Sequence, residues 1–229
     1  MANILNIDTS TNRCSVALGK DGETIFGFES SKDMDSSVSL APFVEKCLDE
    51  LRAKVEHLDA VSVTVGPGSY TGLRIGLSLA KGLCFGLDIP LITISTLEVM
   101  AVRAIFSYEG FNGDELIIPM IDARRMEVYT GVYDSSLRLV EPERALILEG
   151  DEFSHLTDKS LLFIGDGTEK YKALNKNTNA IWLGDKAAHA KYMTALSEKY
   201  YREKKYSDVA YSVPKYLKEY QTTQSKKRL

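Results

Sequence analysis

The sequence predicts a mixed α/β protein in which strands and helices alternate along the chain. Residues 60–66 (AVSVTVG) form a short β-branched run that ends in glycine, which is typical of a strand buried on both faces. Longer segments repeat apolar residues every three or four positions, which is typical of amphipathic helices. The second half of the chain repeats the order of the first half, which indicates a duplicated unit.

The first half opens with a strand at residues 4–10 (ILNIDTS) and two strands that turn at Asp21-Gly22, a typical hairpin dipeptide. Apolar residues with helical spacing then predict a long first helix. They are Leu40, Phe43, Val44, Cys47, Leu48, Leu51 and Val55. The buried strand at 60–66 leads through a glycine-rich loop into a helix over 71–85. A strand at 90–95 and a helix that starts at a capping-box pattern, Ser95 or Thr96 before Glu98, complete this half.

The second half has the same organisation. Residues 116–134 place a strand that ends at Asp122 before a turn and an aromatic-rich return strand, much as residues 5–19 do around Asp8. Residues 160–174 (SLLFIGDGTEKYKAL) again predict a strand, a Gly-x-Gly turn and a helix. Turn-forming residues collect at 108–114, so we predict an N-terminal unit at 1–108 and a C-terminal unit at 109–229.

Composition narrows the classes of function. The chain has 229 residues, 44% hydrophobic and 26% charged, with a net charge of -4 and a pI near 5.5. This surface does not favour nucleic acid as a whole, so any RNA contact must be local. The first residues lack a signal-peptide pattern, and charges and a proline interrupt the most apolar stretch (77–94), which predicts a cytoplasmic protein without a membrane span. The three cysteines are widely spaced, which predicts reduced, buried thiols.

The glycine-rich loop at 66–76 (GPGSYTGLRIG) invites comparison with nucleotide-binding loops. A Walker A loop requires Gly-Lys-Ser/Thr after four residues, whereas Thr71 stands five residues after Gly66 and the next lysine is Lys81. A dinucleotide fingerprint requires G-x-G-x-x-G, and this loop is one residue too long. Both motifs therefore fail, and a phosphate at this loop remains a less favoured alternative.

The helix behind this loop predicts an association surface. Its polar residues share one stripe, and Gly68, Gly72, Gly76 and Ala80 form a ridge without bulk that would admit another polypeptide closely. Arg74 and Lys81 have no acidic residue on the same helix, so we expect a partner to supply their counterpart; two solvated charges in a monomer are the alternative. The predicted interface residues are Gly68, Tyr70, Gly72, Leu73, Arg74, Gly76, Leu77, Ala80 and Lys81.

Three stretches, GPGSYTGLRIGLSLAKGL, ILNIDTST and VPKYLK, resemble the TsaB (YeaZ) family, and the resemblance extends over essentially the whole chain. It implies an actin-like, Hsp70-like (ASKHA) fold with two ribonuclease-H-like lobes. It also implies a non-catalytic subunit in the formation of N6-threonylcarbamoyladenosine (t6A) at adenosine 37 of tRNAs that read ANN codons. Chains of this family often carry a histidine at the start of the first long helix, where this chain has Ser36 or Ser37.

The resemblance also implies partners. A TsaC-like enzyme would make threonylcarbamoyl-adenylate upstream, a TsaD-like subunit would bind this chain and transfer the group to tRNA, and a TsaE-like ATPase would associate with the complex. The isolated chain would form a homodimer through the same helical surface and meet tRNA through the complex. The resemblance implies no cofactor in the isolated chain and leaves room for ATP or ADP with Mg²⁺ in the complex.

A competing hypothesis is an ATP-dependent phosphotransferase or ATPase of the same fold. It would use the strand-end aspartates Asp8 and Asp122 with the turn Gly165-Asp166-Gly167, although such residues more often form turns. His57, His155 and His189 lack the spacing of a helical His-x-x-x-His metal site, so we expect no metal. A peptidase lacks both a metal set and a plausible nucleophile-base pair in this sequence.

One basic group near the C-terminus is a candidate for tRNA contact. Tyrosines at 200, 201 and 206 alternate with basic residues that could contact phosphates while the rings stack on bases. The basic residues are Lys199, Arg202, Lys204 and Lys205. The alternative is a solvated helix face whose buried stripe is Met193, Leu196 and Tyr200. The tail at 225–229 (SKKRL) is predicted to be disordered.

Overall fold

A computed structural model describes residues 2–31, 36–54, 56–156, 158–176 and 178–218, with residues 36 and 37 described by their backbone alone. The first of its two sheets contains β1 (Asn3–Asp8), β2 (Ser15–Lys20), β3 (Glu23–Glu29), β4 (Ala60–Thr64) and β5 (Leu91–Ile94). Its spatial order is β3-β2-β1-β4-β5, in which β1, β2 and β3 form an antiparallel meander and β4 and β5 join in parallel.

The second sheet contains β6 (Leu116–Asp122), β7 (Glu127–Tyr133), β8 (Leu139–Ile147), β9 (Leu161–Ile164) and β10 (Ala180–Trp182). Its order is β10-β9-β6-β7-β8, with β6, β7 and β8 antiparallel and β9 and β10 parallel to β6. Read from its first meander, this sheet has the same topology as the first sheet. The expected duplication and the actin-like fold of two ribonuclease-H-like lobes are therefore confirmed.

Local sequence explains these elements. Asp21 and Gly22 join β2 to β3 with positive φ angles of 53° and 83°, as a two-residue hairpin requires. The parallel strands are buried along their length, which accounts for the β-branched composition of β4. The five helices among the described residues are α1 (Ser36–Ala53), α2 (Tyr70–Leu87), α3 (Thr96–Ser107), α4 (Thr168–Lys172) and α5 (Thr194–Arg202).

Two of the helices, α3 and α5, pack on the sheet of the opposite lobe. α1 and α2 lie against the first sheet, and together they bury a cluster that includes Leu5, Val63 and Leu77. α3 follows the first sheet in sequence but contacts β6, β7 and β9 of the second. α5 follows the second sheet but contacts β1, β2 and β5 of the first. The predicted boundary at 108 thus separates the two sheets, but it does not separate the helices that cover them.

The chain after α5 crosses the first lobe as an extended segment, which we name the C-terminal strap (residues 206–218). The amide of Ser207 donates to the carbonyl of Leu91 at the edge of β5 (2.8 Å), and the amide of Lys215 donates to the carbonyl of Val65 after β4 (2.7 Å). Leu217 packs against the core between the lobes. No helix in the described part of the chain is both long and apolar enough to cross a bilayer.

The predicted capping box at α3 forms only in part. The hydroxyl of Ser95 accepts from the amide of Leu97 (3.2 Å), as an N-cap does. Glu98, however, accepts from the hydroxyl of Tyr200 on α5 (2.6 Å), because α5 lies beside the first turn of α3. The carboxylate of Glu98 therefore links the two helices that the lobes exchange.

Candidate partner interface

The glycine ridge of α2 faces the interior of the chain. Gly72, Gly76 and Ala80 are buried, together with Leu73 and Leu77. A Cβ atom built at Gly72 or Gly76 would come closer than 3.0 Å to the carbonyl oxygen or the hydroxyl of Thr9, respectively. At Gly68 a Cβ would meet the carbonyl oxygen of Ser10 in the same way. The ridge therefore accommodates the chain's own β1–β2 loop, which corrects the prediction that it admits a second polypeptide.

The two cations of α2 also have partners within the chain. Arg74 donates to the hydroxyl of Tyr216 (3.1 Å) and to that of Tyr70, and its guanidinium lies 4.0 Å from the centre of the Tyr70 ring. Lys81 donates to the carbonyl oxygens of Ala210 (2.9 Å) and Ser212 (3.2 Å). The strap thus supplies the counterparts that we expected from another subunit. This is a correction, and its cause is a segment distant in sequence.

The outer side of α2 nevertheless remains open. Its exposed residues lie at helical spacing, and we name them the α2 face. They are Tyr70, Thr71, Arg74, Ser78, Gly82 and Phe85, and the exposed Gly86 and Leu87 follow at the end of the helix. Phe85 is 86% exposed, and Leu87 beside it is 51% exposed, so the apolar end of this face is available for association. Of the nine residues predicted for the interface, only Tyr70 and Arg74 lie on this face; Gly68 and Lys81 are half-buried, and the other five are buried.

Asp8 shapes the loop on which α2 rests. Its buried carboxylate accepts from the amide and the hydroxyl of Ser10 (3.1 and 2.7 Å) and from the hydroxyl of Thr64 at the end of β4 (2.8 Å). These bonds fix the loop that carries Thr9 and Ser10 against the α2 glycines. This is the geometry of a turn-forming aspartate, which our sequence interpretation favours over a metal ligand.

Asp122 and the predicted glycine turn meet in the second lobe. Asp122 accepts from the ammonium of Lys170 (2.6 Å) and from the amide of Arg124 (2.5 Å), while its own amide donates to the carboxylate of Asp166 (2.8 Å). Although partial burial opposes the change, these two donors hold the pKa of Asp122 below its usual range. The structure brings Asp122 and Asp166 together, whereas Asp8 makes its bonds within the first lobe.

The turn itself packs tightly. A Cβ at Gly165 would overlap the carbonyl oxygen of Met120, and one at Gly167 would come within 2.8 Å of Val128. The amide of Gly167 donates to the carbonyl of Met120 (3.2 Å), and the hydroxyl of Thr168 donates to the carbonyl of Gly165 (2.7 Å). The turn is thus held against β6 by the Gly167 amide, and the carbonyl of Gly165 is used by the first residue of α4.

The remaining candidates for chemistry occupy structural positions. Cys14, Cys47 and Cys84 are buried free thiols, as expected, and burial raises the pKa of Cys47 to about 12 and that of Cys84 to about 11. A thiol with so high a pKa is a poor nucleophile. Within the described ranges, no group of three histidine, cysteine, aspartate or glutamate side chains could hold a metal ion.

The basic group on α5 is partly neutralised by its own surroundings. Arg202 pairs with Glu198 (2.6 Å), and the ammonium of Lys205 lies 3.9 Å from the centre of the Tyr200 ring. Lys199 and Arg202 share an open concavity with four acidic residues. They are Asp21, Glu23, Glu198 and Glu203. Met193, Leu196 and Tyr200 are buried, as the alternative interpretation of this segment predicts.

Sequence reasoning missed a buried carboxylate that joins the lobes. Glu143 on β8 accepts from Tyr133 (2.5 Å), from the N-cap Ser95 and from Lys215 of the strap (2.6 Å). Its side chain is 3% exposed. No local motif marks it, because its three donors come from three separate segments. The side chains of Ser36 and Ser37 and the tail at 225–229 lie outside the described residues.

The sequence matches that of a known protein over nearly its whole length. A Bacillus subtilis protein named "tRNA threonylcarbamoyladenosine biosynthesis protein TsaB" is 33% identical over 221 residues, which cover 94% of this chain and 93% of that protein. The chain belongs to the TsaB (YeaZ) family. The family model "TsaD: tRNA N6-adenosine threonylcarbamoyltransferase" also matches residues 32–228. This chain and that transferase family therefore share sequence features across both lobes.

Solved structures agree with the TsaB assignment. YeaZ from Pseudomonas aeruginosa superposes with a TM-score of 0.77 at 27% identity and covers 95% of this chain and 100% of its own. A second P. aeruginosa structure, described as an uncharacterized protein with similarity to peptidase YEAZ, gives a TM-score of 0.79 at the same identity and coverage. The resemblance stated from the glycine-rich loop is thus confirmed over nearly the whole chain.

Proposed function

We propose that this chain is a non-catalytic subunit that binds and supports a TsaD-like transferase in the t6A modification of adenosine 37 of tRNAs reading ANN codons. The observation that carries the proposal is the match over 94% of the chain to a relative named as a t6A biosynthesis protein. The match to the transferase's own family model supports it, because two homologous chains can pair through equivalent surfaces.

The structure supports a binding role in preference to an independent reaction. One carboxylate oxygen of Asp8, Oδ1, accepts three hydrogen bonds within its lobe, and Asp122 has Lys170 and a backbone amide as partners. All three thiols are buried, and the raised pKa values of Cys47 and Cys84 keep these two protonated at neutral pH. The two strand-end aspartates of the competing hypothesis thus make contacts that hold the fold.

The α2 face is the surface that we assign to the transferase. Phe85 offers an exposed aromatic ring of the kind that dominates binding energy at interfaces. Arg74 is held in place by Tyr70 and Tyr216, and two of its five N–H groups are used there, which leaves the others for a carboxylate or a carbonyl of the partner. The cation therefore arrives already oriented, which lowers the entropic cost of the contact.

The complex would also include a TsaE-like ATPase, would receive its substrate from a TsaC-like enzyme and would meet tRNA through the assembled subunits. We expect a cytoplasmic location, since these reactions act on tRNA. In the absence of the transferase, two copies would pair through the α2 face, and any ATP or ADP with Mg²⁺ would bind only in the complex.

Reconstitution tests the proposal. The purified chain, its cognate TsaD-like, TsaC-like and TsaE-like proteins, tRNA, threonine, bicarbonate and ATP are combined, and modified adenosine is measured. We expect modification only when this chain is present. Phe85→Glu should weaken transferase binding by at least about 30-fold, as loss of an aromatic hot spot does. Phe106→Glu is the matched control, because Phe106 is 72% exposed on α3. Full modification without the chain would contradict the proposal.

A further inference from the structure

The hairpin turn between β6 and β7 carries two adjacent arginines, Arg124 and Arg125. Both are exposed, and both adopt positive φ angles, 68° and 50°. Both residues lie in the loop at 123–126 and adopt the left-handed conformation that Asn and Gly tolerate best, so a long side chain there is strained. The β2–β3 hairpin meets the same requirement with Asp21-Gly22. The chain therefore keeps two long basic side chains where its backbone disfavours them.

The two guanidinium groups also lack partners. Among the residues that the structure describes, neither Arg124 nor Arg125 forms a side-chain hydrogen bond or an ion pair. Every other described arginine has one. These pairs are Arg13 with Glu29, Arg52 with Asp49, Arg74 with Tyr216, Arg103 with the carbonyl of Ala187, Arg138 with Asp134, Arg144 with Glu141 and Arg202 with Glu198. The free cations thus lie side by side at one point of the surface.

The two carboxylates that flank this turn, Asp122 and Glu127, are paired with lysines. Lys170 pairs with Asp122 and also donates to the carbonyl of Arg125 (2.5 Å), so it fixes the turn as well as the charge beside it. Lys218 of the strap pairs with Glu127. Asp122 and Glu127 each have a lysine in ion-pair contact, and Arg124 acts on Asp122 only through its charge, so neither guanidinium is bound to a carboxylate. Lys170 thus holds the turn through the carbonyl of Arg125, and the side chains of both arginines are exposed.

We infer that the Arg124-Arg125 turn binds backbone phosphates of RNA. The inference rests on the proposed function, in which the RNA is the tRNA to be modified. Guanidinium groups match phosphate in charge and in the geometry of their donors. A turn on the surface suits a backbone that passes over it. This assignment replaces the α5 group as the candidate for tRNA contact, since Arg202 and Lys205 are engaged within the chain.

The test measures how tRNA affinity depends on salt. The full chain, alone and with its transferase, is titrated with labelled tRNA between 50 and 200 mM KCl. The test variant is Arg124→Asn with Arg125→Gly, which removes both cations and supplies the residues that the turn prefers. Because Asn and Gly relieve the strained conformation, this variant should fold and melt at a higher temperature than wild type.

Each lost phosphate contact should lower the slope of log affinity against log salt by about 0.7 to 0.9. The double variant should therefore lose about 1.4 to 1.8 in slope and about 25- to 60-fold in affinity at 0.1 M salt. Arg124→Lys with Arg125→Lys keeps both charges and should keep most of the slope. The matched control, Lys199→Gln with Arg202→Gln, removes the same two charges from α5 and should leave the slope unchanged.

Several results would overturn the inference. An unchanged slope in the Arg124/Arg125 variant would do so, and so would an equal loss of slope in the α5 control. If the Arg124/Arg125 variant kept its tRNA affinity but lost transferase binding, the turn would be a protein contact. If that variant lost only Mg-ATP binding, the turn would be a nucleotide contact. Failure of the proposed function is distinguishable. In that case wild type would not support modification even if its tRNA affinity depended on the two arginines.

Discussion

Substitution of alanine for glycine along α2 should have opposite effects on its two sides. At Gly72 the new Cβ would lie closer than 3.0 Å to the backbone oxygen of Thr9, a contact that real Cβ atoms essentially never make. At Gly82, on the same helix, nothing lies within 4 Å of the added atom. Gly72→Ala therefore measures how tightly α2 packs on the β1–β2 loop, and Gly82→Ala measures helix propensity by itself.

The magnitudes follow from these contacts. Alanine is better than glycine in a helix interior by about 1 kcal/mol, so Gly82→Ala should raise the free energy of unfolding by about that amount. Overpacking costs about 1–3 kcal/mol, and Gly72→Ala belongs at the upper end because its neighbour is backbone that cannot rotate away. After the gain in propensity, we expect a net loss of about 2 kcal/mol. The two variants should then differ by about 3 kcal/mol.

A double-mutant cycle identifies the neighbour. At Gly76 the overlap is with the hydroxyl of Thr9, which is buried and without a hydrogen-bond partner in the described structure. Thr9→Ala removes that hydroxyl and should partly rescue Gly76→Ala, whereas it should not rescue Gly72→Ala, whose neighbour is the Thr9 carbonyl.

Urea denaturation followed by circular dichroism gives the free energies of unfolding of the four single and two double variants. Equal stability of Gly72→Ala and Gly82→Ala would refute the packing described here, and it would restore the prediction that the ridge is open to a partner.

Two further predictions concern buried ionisable groups. Burial raises the pKa of Glu98 although Tyr200 donates to it, so the stability that this residue contributes is fully present below its ordinary pKa and falls as pH rises through the raised value. The free energy of unfolding of Glu98→Gln, measured by urea titration, should therefore rise relative to that of wild type between pH 4 and pH 8. A difference between the two that does not change with pH would contradict this. Cys14, Cys47 and Cys84 should resist a thiol reagent such as dithionitrobenzoate in the native protein and react on unfolding; fast native labelling would show that the thiols are accessible.

Local signals in the sequence were sufficient for most of the fold. Helical spacing predicted α1 and α2, the Asp-Gly dipeptide predicted the first hairpin, and the repeated strand and turn order predicted two lobes with one topology. These features depend on residues within about twenty positions of one another, where periodicity and turn chemistry are informative.

The interface was harder to predict because its neighbours are remote in sequence. The spacing of Gly72 and Gly76 correctly placed them on one side of α2, with Gly68 in the loop before it, but it could not reveal that Thr9 and Ser10 pack against these glycines. Likewise, Arg74 and Lys81 were correctly seen to lack partners on their own helix, whereas the strap that serves them lies more than a hundred residues later. The sequence does show two adjacent arginines between the strands of a hairpin. Only the structure reveals that the other described arginines have partners, and this contrast is what marks the pair as a candidate site.

The exchange of helices between the lobes bears on biogenesis. Synthesis proceeds from the N-terminus, and protein domains commonly fold as they leave the ribosome. Here the first sheet emerges early, yet β1, β2 and β5 remain without α5 until about a hundred further residues have been made. The nascent first lobe would therefore expose apolar surface for several seconds at ordinary elongation rates. Ribosome-associated chaperones should bind this chain in that interval and leave once residues 190–218 have emerged.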